Sequence, residues 1–147
     1  MATSNAATTY LENKLLSLIF KNNAGSFSSP GNSIYVGLAT AVSDAEAGTL
    51  TEVNTSTQDA NYTRQQVNAA GWTLASSSTD QQTVTNAANV EFSASSGVAS
   101  YTVTHAFIAD ASTGGNILFV GALDASKTIA SGDIFRINAG NLTIELK

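Results

Sequence analysis

The chain of 147 residues contains no cysteine. That absence removes disulfides, thiolate nucleophiles and cysteine-ligated metals together, leaving packing and hydrogen bonds to hold the fold. Histidine occurs once, at His105, so a single copy cannot build a zinc site from imidazoles. A Ser-His-Asp triad would have to use that same ring, and no serine stands in a Gly-x-Ser-x-Gly turn. Charge is scarce as well, at 12% of residues against about 25% in an average domain. The six bases, Lys14, Lys21, Arg64, Lys127, Arg136 and Lys147, are scattered, and the net charge is −5. They offer no basic face to a phosphate backbone, so no direct nucleic-acid partner is expected. Long apolar runs are also missing. The stretch LLSLIF, residues 15–20, is much shorter than a membrane span or a signal-peptide core, so neither a membrane partner nor export is expected.

Other chemistry is equally thin. There is no phosphate-cradling glycine loop and no H-E-x-x-H helix. Asp44 and Glu46 could offer oxygens to calcium, but the spaced ligands and closing glutamate of an EF-hand are missing. No metal and no cofactor are therefore expected, and no residue pattern declares an activity, although the eleven acids leave a glycosidase-type carboxylate pair open. A carbohydrate-binding module stays open as an alternative, because Trp72, Tyr10, Tyr35, Tyr62 and Tyr101 could stack on sugar rings.

Serine, threonine, asparagine and glutamine take the place of the missing charges. A polar, weakly charged surface suits a subunit partly covered by neighbours, since each unpaired charge buried at an interface is costly. At the N-terminus, Thr9-Tyr-Leu-Glu12 matches a capping box and predicts a helix over residues 10–21. Leu11, Leu15 and Leu18 form its apolar stripe, while Leu16, Ile19 and Phe20 widen that stripe toward a second face. Gly25 offers a left-handed stop, and residues 23–32, with the only proline, Pro30, read as a connector. Such a short apolar helix needs a partner surface, either its own sheet or another chain.

Everything beyond the connector reads as β. In SIYVGLAT, Ile34, Val36 and Leu38 share one face. Residues 41–60 carry four acids and no base and read as a long exposed loop, with at most a short strand over 50–53. Short strands follow at 61–67, 71–75, 81–85 and 88–94, then in SYTVTHAFIAD, NILFVGAL, DIFRINA and NLTIELK. Period two places Tyr101, Val103, His105 and Phe107 on one face, which makes His105 a sheet side chain. Asp110–Gly115 supplies a hairpin connection. The fold class expected is mainly β: an antiparallel β-sandwich, jelly-roll-like, over 33–147, preceded by an N-terminal arm and one short α-helix over 1–25.

The order of motifs resembles a family of tailed-bacteriophage virion proteins, described as tail-fibre-like or capsid-decorating. The matching pieces are LENKLLSLIF, SIYVGLAT, LTEV, NYTRQQV, NVEFSA, YTVTHAFIADASTGGNILFVGAL and GDIFRINAGNLTIEL. The resemblance implies a non-enzymatic structural subunit of the phage particle, made in the host cytoplasm. With no low-complexity shaft in the sequence, it points to a capsid cement or decoration protein. Such a subunit would hold the major capsid protein or other virion subunits and associate as a trimer, by analogy with lattice symmetry. A tail or tail-fibre component is the alternative. The residues expected to meet partners are Tyr10, Leu11, Leu15 and Leu18 on the helix, with Tyr62 and Arg64 for a polar contact. The polar arm MATSNAATT is suited to adding a strand to a sheet.

Overall fold

A computed structural model describes residues 5–23, 33–75 and 82–146. The expected Gly25 stop and the connector around Pro30 lie outside the described residues, as does the start of the N-terminal arm. The arm enters as a two-residue strand β1 (Ala6–Ala7), followed by the helix α1 (Thr9–Phe20). Strands β2 (Tyr35–Asp44), β3 (Thr49–Glu52), β4 (Gln65–Gln66), β5 (Trp72–Ala75) and β6 (Gln82–Asn86) come next. The remaining strands are β7 (Val90–Glu91), β8 (Tyr101–Ala109), β9 (Ile117–Ile129), β10 (Arg136–Ile137) and β11 (Thr143–Leu146).

The helix begins one residue earlier than the capping box predicts. Thr8, not Thr9, is the cap: its hydroxyl accepts the Leu11 N–H at 3.4 Å and donates to the Ile117 carbonyl at 2.6 Å. The bond to β9 selects Thr8, which is buried while Thr9 is exposed. Glu12 then stands one position too late to close a box. At the other end the chain already turns left-handed at Asn22, with φ of 48°, and the N–H groups of Lys21 and Asn23 both reach the Ser17 carbonyl.

The main sheet has the order β1-β9-β8-β2-β3, and β4 adds to the same edge of β2 as β3. All its pairings are antiparallel. Two smaller antiparallel sheets, β10-β7 and β11-β6-β5, supply the second layer. Between the layers lies the principal core: Val36 and Leu38 from β2, Tyr101, Val103 and Ile108 from β8, Leu118 and Ile129 from β9, with Val90 and Phe92. This is a mainly β, sandwich-like fold with one helix. The helix is part of it, because Leu11 is buried in the same core.

Three readings of the strands are corrected. The acidic stretch 41–60 is not one long loop: β2 continues to Asp44 and forms a hairpin with β3. Two of its four acids, Asp44 and Glu46, fall at the turn, where the Asp44 carboxylate accepts the Ala47 N–H at 3.0 Å and Gly48 takes a φ of 67°. The strands expected over 61–67 and 88–94 shrink to the pairs Gln65–Gln66 and Val90–Glu91. In β8 the simple alternation fails, because the register slips between Val103 and His105: β9 spends Leu123–Ser126 opposite the single residue Thr104. That bulge moves Phe107 off the face of Tyr101 and Val103. Ile108 joins them in the principal core, while Phe107 packs with Ala39, Ala45, Ala109 and Val120 on the opposite face.

Candidate interaction surface

Helix α1 is apolar on two sides. Its first stripe turns inward: Leu11 is buried, and Tyr10 and Leu15 are half-buried against the principal core. Leu18, at 36% exposure, sits at the margin. The second face is open, with Leu16 at 54%, Ile19 at 67% and Phe20 at 75% exposure. Of the four helix residues expected to meet a partner, Leu11 is thus committed to this chain's own core. The three most exposed apolar residues of the helix are those that widened the stripe in the sequence. An uneven distribution of leucines around a short helix signals two faces, but only the sheet decides which one is covered.

Tyr62 and Arg64 also point inward. The Tyr62 hydroxyl accepts the Leu38 N–H at 2.9 Å and donates to Glu52 Oε1 at 2.8 Å. Its ring stacks on Phe92 with centroids 6.0 Å apart. Burial, reinforced by the Glu52 charge, pushes the Tyr62 pKa up. Arg64 holds both Glu52 oxygens through Nε and Nη2 at 2.8 Å and lies 5.0 Å from the centre of the Phe107 ring. Its Nη1 donates at 2.8 Å to the carbonyls of Ala111 and Gly114 in the β8–β9 turn. With its side chain only 5% exposed, Arg64 clamps the turn to β3. Both residues, expected to make a polar contact with a partner, here meet on Glu52 as an internal lock.

His105 lies mid-sheet, opposite Ala39 on β2 and Ala122 on β9. Its Nδ1 is 2.8 Å from the Thr104 hydroxyl, and burial lowers its pKa. This arrangement gives the ring a sheet-filling role and no oriented carboxylate. Among the described residues no group of three or more His, Asp and Glu side chains could hold a metal ion. Trp72 is half-buried and donates from Nε1 to the Val67 carbonyl at 3.3 Å, which commits one edge of the best sugar-stacking candidate to the fold. Among the described residues no helix is long and apolar enough to cross a membrane. A groove of about 1050 Å³ runs between β9 and the segments around β10 and β11, lined by Phe119, Leu123, Phe135, Ile137, Leu142 and Ile144 among others. These apolar side chains share the lining with Asp124, Lys127, Arg136, Asn138 and Glu145.

The model of one family, the Podophage GP4 fiber I protein gp80, matches residues 6–145, nearly the whole chain. The chain belongs to this family. A comparison with curated proteins gave no match. Membership makes the protein a tailed-phage virion structural protein of the fibre type, and the mainly β fold, with one α-helix among the described residues, is the class that the run of short strands predicts.

Proposed function

We propose that the protein is a non-enzymatic, fibre-associated component of the phage particle that attaches to neighbouring virion subunits through the outer face of α1. The observation that carries this reading is the exposed set Leu16, Ile19 and Phe20 on an otherwise anchored helix. Monomeric surfaces rarely leave such groups contiguous unless something binds them. The family description supplies the fibre context. Tyr10, Leu11 and Leu15 support the contact from beneath by fixing the helix on the core, and Tyr62 and Arg64 hold the sheet that carries it.

Capsid cement is a second reading, favoured by the absence of any elongated repeating segment among the described residues. It uses the same helix face against the major capsid protein, and multiplicity on a symmetric lattice would add up many weak contacts. Copy number separates the two readings. Quantitative staining of purified particles, with cryo-electron microscopy of the labelled protein, should show a small number of copies at the tail for a fibre component. Hundreds of copies spread over the head would replace the fibre reading with the cement one. Absence from purified particles would overturn both.

A further inference from the structure

We propose that the outer face of α1 packs against the same face of a second copy of this chain, the two helices running antiparallel. This rests on the reading of α1 as an assembly face and names the partner. Thr9, Glu12, Asn13, Leu16, Ile19 and Phe20 follow one another at steps of three and four, so they share one side of the helix. All six are exposed. The half nearer the C-terminus is wholly apolar, and the half nearer the N-terminus is polar. The exposures of Leu16, Ile19 and Phe20 correspond to roughly 400 Å² of apolar surface per copy, against roughly 800 Å² per partner in a standard interface. The apolar set therefore supplies about half of what a stable pair needs. The polar residues of the same face provide a rim.

Charge decides the direction. Glu12 stands in the first turn, the last turn holds no base, and Lys21 follows directly as the C-cap residue. An antiparallel pair brings the acidic end of one helix beside the basic end of the other and opposes the two helix dipoles favourably. A parallel pair would set Glu12 near Glu12 and Lys21 near Lys21. Lys14, the other base of the helix, lies 5.5 Å from the centre of the Tyr10 ring, and the three apolar residues of the face carry no charge. A strongly charged partner would find nothing there to pair with. A second copy meets the face with an equally apolar one, and a two-fold axis within its apolar half lays Leu16 and Phe20 of one copy across Phe20 and Leu16 of the other.

Sedimentation equilibrium of the purified full chain over a dilution series tests this. The expected result is a reversible dimer whose dissociation constant rises at least about tenfold in Ile19→Glu and in Phe20→Glu, with unchanged circular dichroism and melting. Glu12→Lys alone should weaken the dimer, and Glu12→Lys with Lys21→Glu should restore it, since only antiparallel packing couples those two positions. A monomer at every concentration, a dimer indifferent to Ile19→Glu, or a trimer would overturn the proposal. Incorporation of Ile19→Glu into particles keeps the two readings apart. If wild type is monomeric yet the variant fails to incorporate, α1 docks on a different virion chain and only the second-copy partner falls. If the variant incorporates normally, the assembly-face reading falls too.

Discussion

Asp59 is 2% exposed and keeps its charge because donors converge on it. Burial pushes its pKa up, but the N–H groups of Ser96 and Asn61 and the Tyr101 hydroxyl outweigh that, and the result lies below the ordinary value of 3.8. The unfolded chain therefore takes up this proton first. The stabilisation is complete above about pH 4 and is lost as pH falls through the folded value. Urea unfolding across the acid range should show this loss in wild type and a flatter limb in Asp59→Asn. At the alkaline end the signs reverse: burial raises the pKa of both Tyr62 and Tyr101 above 10.0, so their contribution is complete below pH 10 and drains as pH climbs toward the folded values. Tyr62→Phe leaves the buried Leu38 N–H without its acceptor, and should cost about 1–3 kcal/mol in chemical denaturation. Gly37→Ala is a packing test, because a β-carbon there would lie 2.2 Å from Phe107 Cζ; a loss of about 1–3 kcal/mol is expected, reduced when Phe107 is also cut to leucine. None of these roles was legible in the sequence, where Asp59 was one acid among four and Gly37 one small residue in a strand. Burial and partners at a sequence distance of 37 or 42 residues leave no local periodic trace.

Among the elements, those whose sequence carries a period or a turn were legible. The helix, β2, the β8–β9 hairpin with its Asp110–Gly115 turn, and β11 all have one. In that turn the Asp110 carboxylate accepts from the Asn116 backbone and side chain at 2.7 Å, and Gly114 and Gly115 take positive φ. The two-residue strands β4, β7 and β10 were overextended, because apolar and polar residues also alternate in segments that hold their place through side chains. Asn86 is one such holder: it is 1% exposed, donates to the carbonyls of Ala88 and Asn138 and accepts the Leu142 N–H, so β6 is fastened to the approach of β11. Asn86→Leu should cost about 1–3 kcal/mol for each group left unpaired, seen as a lowered melting temperature. The helix start gives a cleaner comparison. Thr8→Ala should lose about 1–2 kcal/mol, while Thr9→Ala should be nearly neutral; the reverse order would restore the capping box that the motif suggested.

At the scale of the whole molecule, the family resemblance carried by the order of motifs was enough to indicate a virion structural subunit. The proposed assembly face was not legible, since the sequence marks two apolar sides on α1 and only the sheet shows which is taken. Assembly through that face should respond to conditions as apolar burial does. Incorporation into particles is expected to weaken on cooling and to change little, or strengthen, with added salt; a steep loss with salt would indicate a charged interface instead. Where the helix joins the sheet also bears on how the molecule carries load. Thr8 and the Ala6–Ala7 pair are stitched to β9 at Leu118, Ile117, Phe119 and Val120. A pull applied at α1 along the strand direction therefore reaches β9 as shear across several bonds at once, a geometry that resists rupture better than opening them singly.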